Sequence, residues 1–364
     1  MFNLMSRAAA EYDQVLITFA DQLQSPPAEL LEICTEVVQV KRIGSHARPS
    51  THRPDAVEEF DSTSFQAAIR QTVAKWKPAL AQLEFTQMAQ YATDCAPART
   101  LLVEHDITLD LYQQLLAQAE DWETRRQWER WVQFETEAWR NVDCVVTMSE
   151  KDRSSVSGAK RCTALANGVD LQRFQASAEE PEPVRLLFIG SFGHLPNLLA
   201  LDYFLREVWP RIQQLHPALH IIAGARHQYF EDLHGSRVRL PINHPGIAVD
   251  GFVSDVRPAY RRASIVIAPL LASAGTNIKI MEAMAMGKAI VSTPGGVNGL
   301  DVRSGEDLVV AATAQEFAAA IVRLSQDAGG RKRLELAARR TAEQKYGWDA
   351  IALRQAELYE SLRR

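Results

Sequence analysis

The sequence predicts an α/β protein built from two doubly wound parallel sheets, and three observations predict it. Short runs rich in Val, Ile and Leu alternate with helix-patterned stretches along both halves, which implies parallel strands joined by crossover helices rather than a sandwich of hairpins. At 364 residues the chain is too long for one ordinary core and suits two domains of roughly 150 to 200 residues each. Between the halves, "FQASAEEPEPV" (174–184) is acidic, poor in apolar residues and contains two prolines. That is the composition of a linker, and it places the boundary near residue 180.

In the first half, strands are expected at "QVLITF" (14–19), "EVVQVK" (36–41), "LAQLEF" (80–85), "RTLLVEH" (99–105) and "CVVTMS" (144–149), with a long helical segment over 109–140. In the second half, "VRLLFIGSF", "LHIIAGA", "GIAVDGFV", "SIVIAPL" and "KAIVST" read as strands, with helices beginning near Pro196, Asp255 and Thr276. The helix-patterned "YGWDAIALRQAELYESL" (346–362) carries Trp348, Ile351, Leu353, Leu358 and Leu362 as an apolar face to bury. Trp128, Trp131, Phe134 and Trp139 recur at helical spacing over 122–140, the signature of core packing.

Composition excludes several classes of function. A formal net charge of −5 gives no whole-chain reason to expect nucleic-acid binding. The four cysteines, Cys34, Cys95, Cys144 and Cys162, are scattered without C-x-x-C or His/Cys ligand spacing, which argues against a disulfide framework and against a zinc site. No apolar run approaches the roughly 20 residues that span a bilayer, and "MFNLMSRAAAEYDQ" lacks the apolar stretch of a signal peptide. The expected location is the cytoplasm, with any membrane contact peripheral and at the inner face.

One carboxylate stands out. Within "IVIAPLLASAGTNIKIMEAMAMGKAIVST" (265–293), Glu282 lies in a helix otherwise made almost wholly of Ile, Met and Ala. The strand "SIVIAPL", the helix "TNIKIMEAMAM" and the strand "KAIVST" form a β-α-β unit with Gly287 as the helix stop. The loop entering that helix, "LASAGT", lies at the carboxyl end of a parallel strand, where open α/β sheets bind ligands and free helix N–H groups suit a phosphate. Lys279 and Glu282, at i, i+3, share one face, while Ile278, Ile280, Met281, Met284 and Ala285 cover the others. A carboxylate so placed can accept hydrogen bonds from vicinal hydroxyls such as those of a ribose. A surface pair of Lys279 with Glu282 would account for the same spacing. The glycine-bearing loops "IGSFGHLPN" (189–197) and "TPGGVNGLDV" (293–302) fall at the same edge, and Gly295, Gly296 and Gly299 there allow either close approach to a ligand or a tight fold.

"NGVDLQRF", "LFIGSF", "GFVSDVRPAYRRASIVIAPL" and "GTNIKIMEAMAMGKAIVST", in this order and spacing, resemble the retaining glycosyltransferases of family 4. The resemblance runs from about residue 99 to the C-terminus and is strongest over 184–300. It implies a GT-B fold, two Rossmann-like domains facing a cleft. Residues 1–175 with a crossing helix 346–364 would form the acceptor-side domain, and 184–345 the domain that binds a nucleotide-sugar donor. It implies donor contacts from Gly190, Ser191, Phe252, Val253, Gly275, Thr276, Asn277 and Glu282, with Glu282 on the ribose hydroxyls. His105, Lys279 and Glu282 become the candidate catalytic residues. The implied reaction moves a sugar to an acceptor hydroxyl with retention, needs no metal or other cofactor, and serves polysaccharide or glycoconjugate synthesis on a glycan or lipid-linked acceptor.

The sequence departs from that family at two places. Most members carry a glutamate eight residues before the one matched by Glu282, and here that position is Ala274. Many also place an Arg and a Lys after the first strand of the second domain, where this chain reads "GSFGHLPN". Lys279, with Arg257 or the backbone N–H groups of Gly275 to Asn277, is then left to meet the diphosphate. Two further readings follow: a nucleotide-sugar-binding partner without transferase activity, and a GT-B sugar-nucleotide epimerase.

In similar proteins a histidine after the strand matched by "RTLLVEH" lies near the reacting sugar, although a structural strand-end role suits His105 equally. Asn167 and Gly168 read as shaping the interdomain turn. The loop "KRIGSHARPSTHRPD" (41–55), with Lys41, Arg42, His46, Arg48, His52 and Arg53, could face an anionic acceptor or membrane headgroups, or be a solvated loop. Residues 1–157 hold one glycine, Gly44, of the 18 in the chain, so the first half has no Gly-rich phosphate loop. It also opens in a helix, and a further upstream strand and turn of roughly 20 to 40 residues is the expectation.

Overall fold

A computed structural model of the chain describes residues 1–43, 52–118, 121–177, 184–233, 235, 238, 240–271 and 276–363. It divides into two compact units, Met1–Ala166 with Trp348–Arg364, and Asn167–Gly347. The change of unit comes at Ala166, ahead of the acidic segment. Residues 167–174 are tied into the second unit by a bridge from Val169 to Gly347 and by the buried ring of Phe174 against Tyr260.

In the first unit, β1 (Val15–Ala20) pairs in parallel with β2 (Glu36–Lys41). A second sheet runs β3 (Leu80–Glu84), β4 (Arg99–Glu104), β5 (Cys144–Thr147) and β6 (Cys162–Ala164), all parallel and in that order. The sheet is thus in two pieces, although Ile17 and Phe19 of β1 pack against the same apolar cluster as Leu83 of β3. β4 is buried from Thr100 to Glu104 and β5 throughout, with Leu101–Val103 and Cys144–Val146 apolar, the pattern of strands covered on both faces. Their other face is covered by the final helix, Trp348–Arg363, whose Ile351 and Leu358 are buried among Leu101, Val103, Cys144 and Val146. Leu353 was expected on that buried face but is 68% exposed. The helical segment over 109–140 is two helices, Thr108–Gln118 and Trp122–Asn141. Asp121 caps the second by accepting from the Thr124 N–H at 2.9 Å, which fixes where it starts.

The second unit is one six-stranded parallel sheet. Its strands are β7 (Arg185–Ile189), β8 (Ala218–Ile222), β9 (Ile247–Asp250), β10 (Ile265–Ala268), β11 (Ala289–Ser292) and β12 (Val309–Val310). Their order is β12-β11-β10-β7-β8-β9. From β7 the chain winds outward through β8 and β9, then returns to β10 and winds the other way. The topological switch point therefore falls between β7 and β10, the place where doubly wound sheets open to a ligand. β7, β10 and β11 lie within a continuous core that includes Leu186, Phe188, Ile265, Ile267, Ala289 and Val291. Sequence periodicity did not show β6 and β12, strands of only three and two residues.

Candidate functional site

The helix Ile278–Ala285 follows β10 with Asn277 at its cap position. Ile280, Met281, Ala283, Met284 and Ala285 are buried, while Ile278, expected in the core, is 48% exposed at the helix start. Gly287 ends the helix at φ +62°, and its N–H returns to the Met284 carbonyl at 2.9 Å. Gly296 does not open space for a ligand: a Cβ there would fall onto the Ser292 hydroxyl and the Ala268 carbonyl oxygen, so this loop glycine serves a tight fold.

Lys279 and Glu282 do not pair with each other. The Glu282 carboxylate takes a hydrogen bond from the Tyr260 hydroxyl at 3.0 Å, and Tyr260 is fully buried on the short helix Arg257–Arg262. Lys279 Nζ turns the other way, to Asn197 Oδ1 at 3.4 Å. Asn197 belongs to the helix Leu195–Tyr203 that follows β7, and its own Nδ2 donates to the Ser191 carbonyl at 2.9 Å. Lys279 and Asn197 therefore reach across the switch point between the helices that follow its two strands. Burial pushes the Glu282 carboxyl above its usual pKa range, opposed by the Tyr260 hydroxyl, Lys279 and Arg173. Burial lowers the Lys279 ammonium, with Glu282 opposing. Burial, and then the Glu282 charge, pushes the Tyr260 phenol well above its ordinary value. Two half-buried groups of opposite sign that are not neutralising each other at contact distance are poised to meet a ligand with both hydroxyls and negative charge.

The other sequence-derived residues gather along the same carboxyl edge. Thr276 accepts a hydrogen bond from Asn167 Nδ2 at 2.9 Å, so Asn167 anchors the entry to the helix. Asn277 is nearly buried, and no described side chain caps the helix it opens, which leaves first-turn N–H groups for an anion. Gly190 and Ser191 form the turn after β7, where the Gly190 N–H bonds the Ile222 carbonyl at 2.9 Å. Phe252, after β9, is an apolar ring 76% exposed, and Val253 beside it is half-buried. Gly275 and Ala274 lie outside the described residues. Arg257, considered for the diphosphate, is engaged: its guanidinium clamps Asp255 through Nε to Oδ1 at 2.8 Å and Nη2 to Oδ2 at 2.9 Å. Asn197, the last residue of the loop 189–197, and Tyr260, within 251–270, are not singled out by the sequence because their partners Lys279 and Glu282 lie far along the chain.

His105 is in the first unit, directly after β4. Its Nε2 is 2.7 Å from Glu84 Oε2 at the end of β3, and its ring stacks obliquely on Phe85 with centroids 4.3 Å apart. Phe85 holds φ +73°, a left-handed conformation that a bulky residue adopts only when its surroundings enforce it. Together they edge a crevice of about 580 Å3 whose walls include Asp55, Thr86, Asp106, Tyr112, Gln127 and Trp131. Of the basic loop, Arg42 pairs with Asp21 and Glu59, both at 2.9 Å, and Arg53 lies 3.9 Å from Asp61. His46 and Arg48 fall outside the described residues. Among the described residues no cluster of His, Cys, Asp and Glu could hold a metal, and no helix is long and apolar enough to cross a membrane.

Residues 183–327 match the family of glycosyl transferases group 1. The matched segment contains β7 to β12 and every residue of the switch-point site except Asn167 and Arg173. The whole chain is similar in fold to sucrose-phosphate synthase from Thermosynechococcus elongatus, at 20% identity over 99% of this chain and 91% of that one, with a TM-score of 0.75. It is also similar to Anabaena HepE determined in complex with UDP, at 16% identity over 99% and 95% of the two chains, with a TM-score of 0.69. Both likenesses show a fold of two Rossmann-like parallel sheets, the GT-B class. In sequence, 151 residues are 28% identical to an uncharacterized 44.6 kDa protein in the cps region of Klebsiella pneumoniae. That match spans 41% of this chain and 39% of the Klebsiella protein's length.

Proposed function

We propose that the protein is a retaining glycosyltransferase that takes a sugar from a nucleotide-sugar donor to an acceptor hydroxyl, in polysaccharide or glycoconjugate synthesis. The observation that carries this reading is the half-buried Glu282, held by Tyr260 at the switch point of a sheet that matches glycosyl transferases group 1. In it, Glu282 accepts from the ribose hydroxyls, Phe252 and Val253 flank the base, and the diphosphate sits over the first turn of Ile278–Ala285 with Gly190, Ser191, Gly275, Thr276 and Asn277 around it. Catalysis is electrostatic. Helix N–H groups and Lys279 stabilise charge on the departing diphosphate, whose oxygen deprotonates the acceptor, so no metal, other cofactor or covalent nucleophile is required. HepE has been determined with UDP and with UDP-glucose, which makes uridine nucleotides the first donors to try. Turnover of a nucleotide-sugar panel with and without glycan acceptors tests the reading. Donor bound but never consumed would favour the second reading, a nucleotide-sugar-binding partner, for which Ala274 in place of the family's glutamate is the motive.

Lys279 supplies the phosphate term in this scheme. Lys279→Ala should weaken a nucleoside diphosphate about tenfold, the order of one charge-assisted hydrogen bond, and leave nucleoside binding nearly unchanged. Calorimetry on the two ligands separates these; equal losses would mean that Lys279 only packs against Asn197.

The crevice beside His105 is assigned to the acceptor. Its described walls carry Asp55, Asp106 and Glu123 but no lysine or arginine, and aromatic faces at Phe85, Tyr112 and Trp131 suit a sugar ring. His105→Ala should lower turnover at least tenfold, the usual scale for losing a positioned hydrogen-bonding or acid–base group, with donor affinity held. A variant with weakened donor binding and normal turnover at saturation would remove His105 from the acceptor side.

A further inference from the structure

We infer that Tyr260 is a specificity-determining residue: by fixing one oxygen of Glu282 it makes the nucleotide site select ribose over 2′-deoxyribose. The inference rests on the reading of Glu282 as the ribose ligand and extends it to a residue in the preceding β-α segment, 22 positions away in sequence.

Tyr260 has no freedom to do anything else. Its side chain is fully buried, edge-on to Phe174 at 6.3 Å between centroids. Its hydroxyl lies 3.0 Å from Glu282 Oε2 and 3.2 Å from the Lys279 carbonyl oxygen. One phenolic proton faces two acceptors, so the hydroxyl is pinned between the side chain of one helix residue and the backbone of another a turn earlier. The helix that carries Tyr260 is itself fastened at its start by the Asp255–Arg257 clamp. Oε1 of Glu282 accepts no hydrogen bond from the described residues, and the tether at Oε2 fixes the carboxylate plane, so that Oε1 and the remaining lone pair of Oε2 meet a pair of ligand hydroxyls in one orientation.

A carboxylate that must be met by two neighbouring hydroxyls discriminates against a ligand lacking one of them only if it cannot swing to satisfy itself elsewhere. The tether supplies that condition. Without it Glu282 can rotate toward water or Lys279, and the energetic difference between a ribonucleotide and a deoxyribonucleotide shrinks. Ring volume is unchanged in Tyr260→Phe, so the packing against Phe174 is preserved and only the hydroxyl is lost.

The test measures dissociation constants of the full chain for UDP, ADP and their 2′-deoxy counterparts by calorimetry, in the wild type, Tyr260→Phe and Glu282→Gln, with a thermal melt of each variant. For whichever base binds, the wild type is expected to prefer the ribonucleotide about tenfold, and Tyr260→Phe to cut that preference to about twofold by weakening the ribonucleotide alone. A Phe variant that keeps the wild-type ratio, whether or not both affinities fall, overturns the role of Tyr260, because a purely structural contribution acts on both ligands alike. Glu282→Gln separates the levels. If it abolishes the preference while Tyr260→Phe does not, Glu282 remains the ribose ligand and only the Tyr260 inference falls. If Glu282→Gln leaves the preference intact, or if the wild type binds none of the four nucleotides, the underlying assignment falls with it.

Discussion

Glu282→Gln is expected to weaken binding of a nucleoside diphosphate by about 2 to 3 kcal/mol, the worth of charge-assisted hydrogen bonds to buried hydroxyls. The amide keeps an oxygen for the Tyr260 hydroxyl, so the internal tether survives and the loss falls on the ligand. Folding stability should change little, because the wild type carries a carboxylate that burial already disfavours in its charged form, and the amide removes that penalty along with the attraction of Lys279 and Arg173. The sign of the pH dependence follows from the raised pKa. Donor hydroxyls of the ribose need the deprotonated carboxylate, so nucleotide affinity should fall on acidification, starting at a higher pH than an unperturbed glutamate would give, and this fall should be absent in the Gln variant. Calorimetry across pH paired with thermal melts checks all three points. Unchanged affinity with a melting temperature several degrees lower would make Glu282 a structural residue.

How far the sequence revealed this site depends on the range of the interactions. The β-α-β unit around Glu282 was readable because its signals are local: an apolar strand, a helix of period near 3.6, and Gly287, whose left-handed φ ends the helix. The switch point was readable only in outline. Its location needs the order of β7 and β10, which no periodicity encodes. Tyr260 and Asn197 were not readable as part of the site, because what brings them to Glu282 and Lys279 is a contact 22 residues away in one case and 82 in the other. Ile278 misled through its type: an isoleucine in an apolar helix reads as core, yet at the first helical position it faces the ligand edge and stays exposed. In the first unit the strand positions were legible, but their division into two sheets was not, since each strand shows the same apolar pattern whether or not a neighbour lies against both of its edges.

The largest feature that the sequence concealed lies under the first-unit crevice. Glu104 closes β4 and is 1% exposed, and Glu135 in the helix Trp122–Asn141 is 0% exposed. That helix is rich in charge, and nothing in its pattern marks one of its glutamates as core. The Thr86 hydroxyl bonds Glu104 Oε2 and lies 3.4 Å from Glu135 Oε1, the Trp139 indole donates to Glu104 Oε1 at 2.7 Å, and the Thr108 and Leu109 N–H groups each donate to Glu135 at 2.8 Å. Burial, reinforced by the charge of Glu135, pushes Glu104 up to about 8, and burial pushes Glu135 up to about 7, with Asp106 and Asp110 adding further negative charge nearby. The folded protein therefore holds protons here that the unfolded chain, titrating near 4.5, would release. Stability contributed by the pair is complete below about pH 4.5 and is lost as the pH rises through about 8. Glu104→Gln keeps an acceptor for Trp139 and adds an N–H donor toward Thr86 and Glu135 without a titratable proton. Thermal melts at pH 6 and pH 9 should show the wild type losing stability across that interval and the variant losing less than half as much, so that the variant is the more stable protein at pH 9. Equal slopes, or a variant weaker at both pH values, would mean that these two carboxyls are not where the folded protein holds its extra protons. The crevice follows the same logic, since Thr86, His105 and Thr108 on its wall are placed by residues bonded or adjacent to these two carboxylates, and a second buried negative charge would be relieved by moving the elements that carry them.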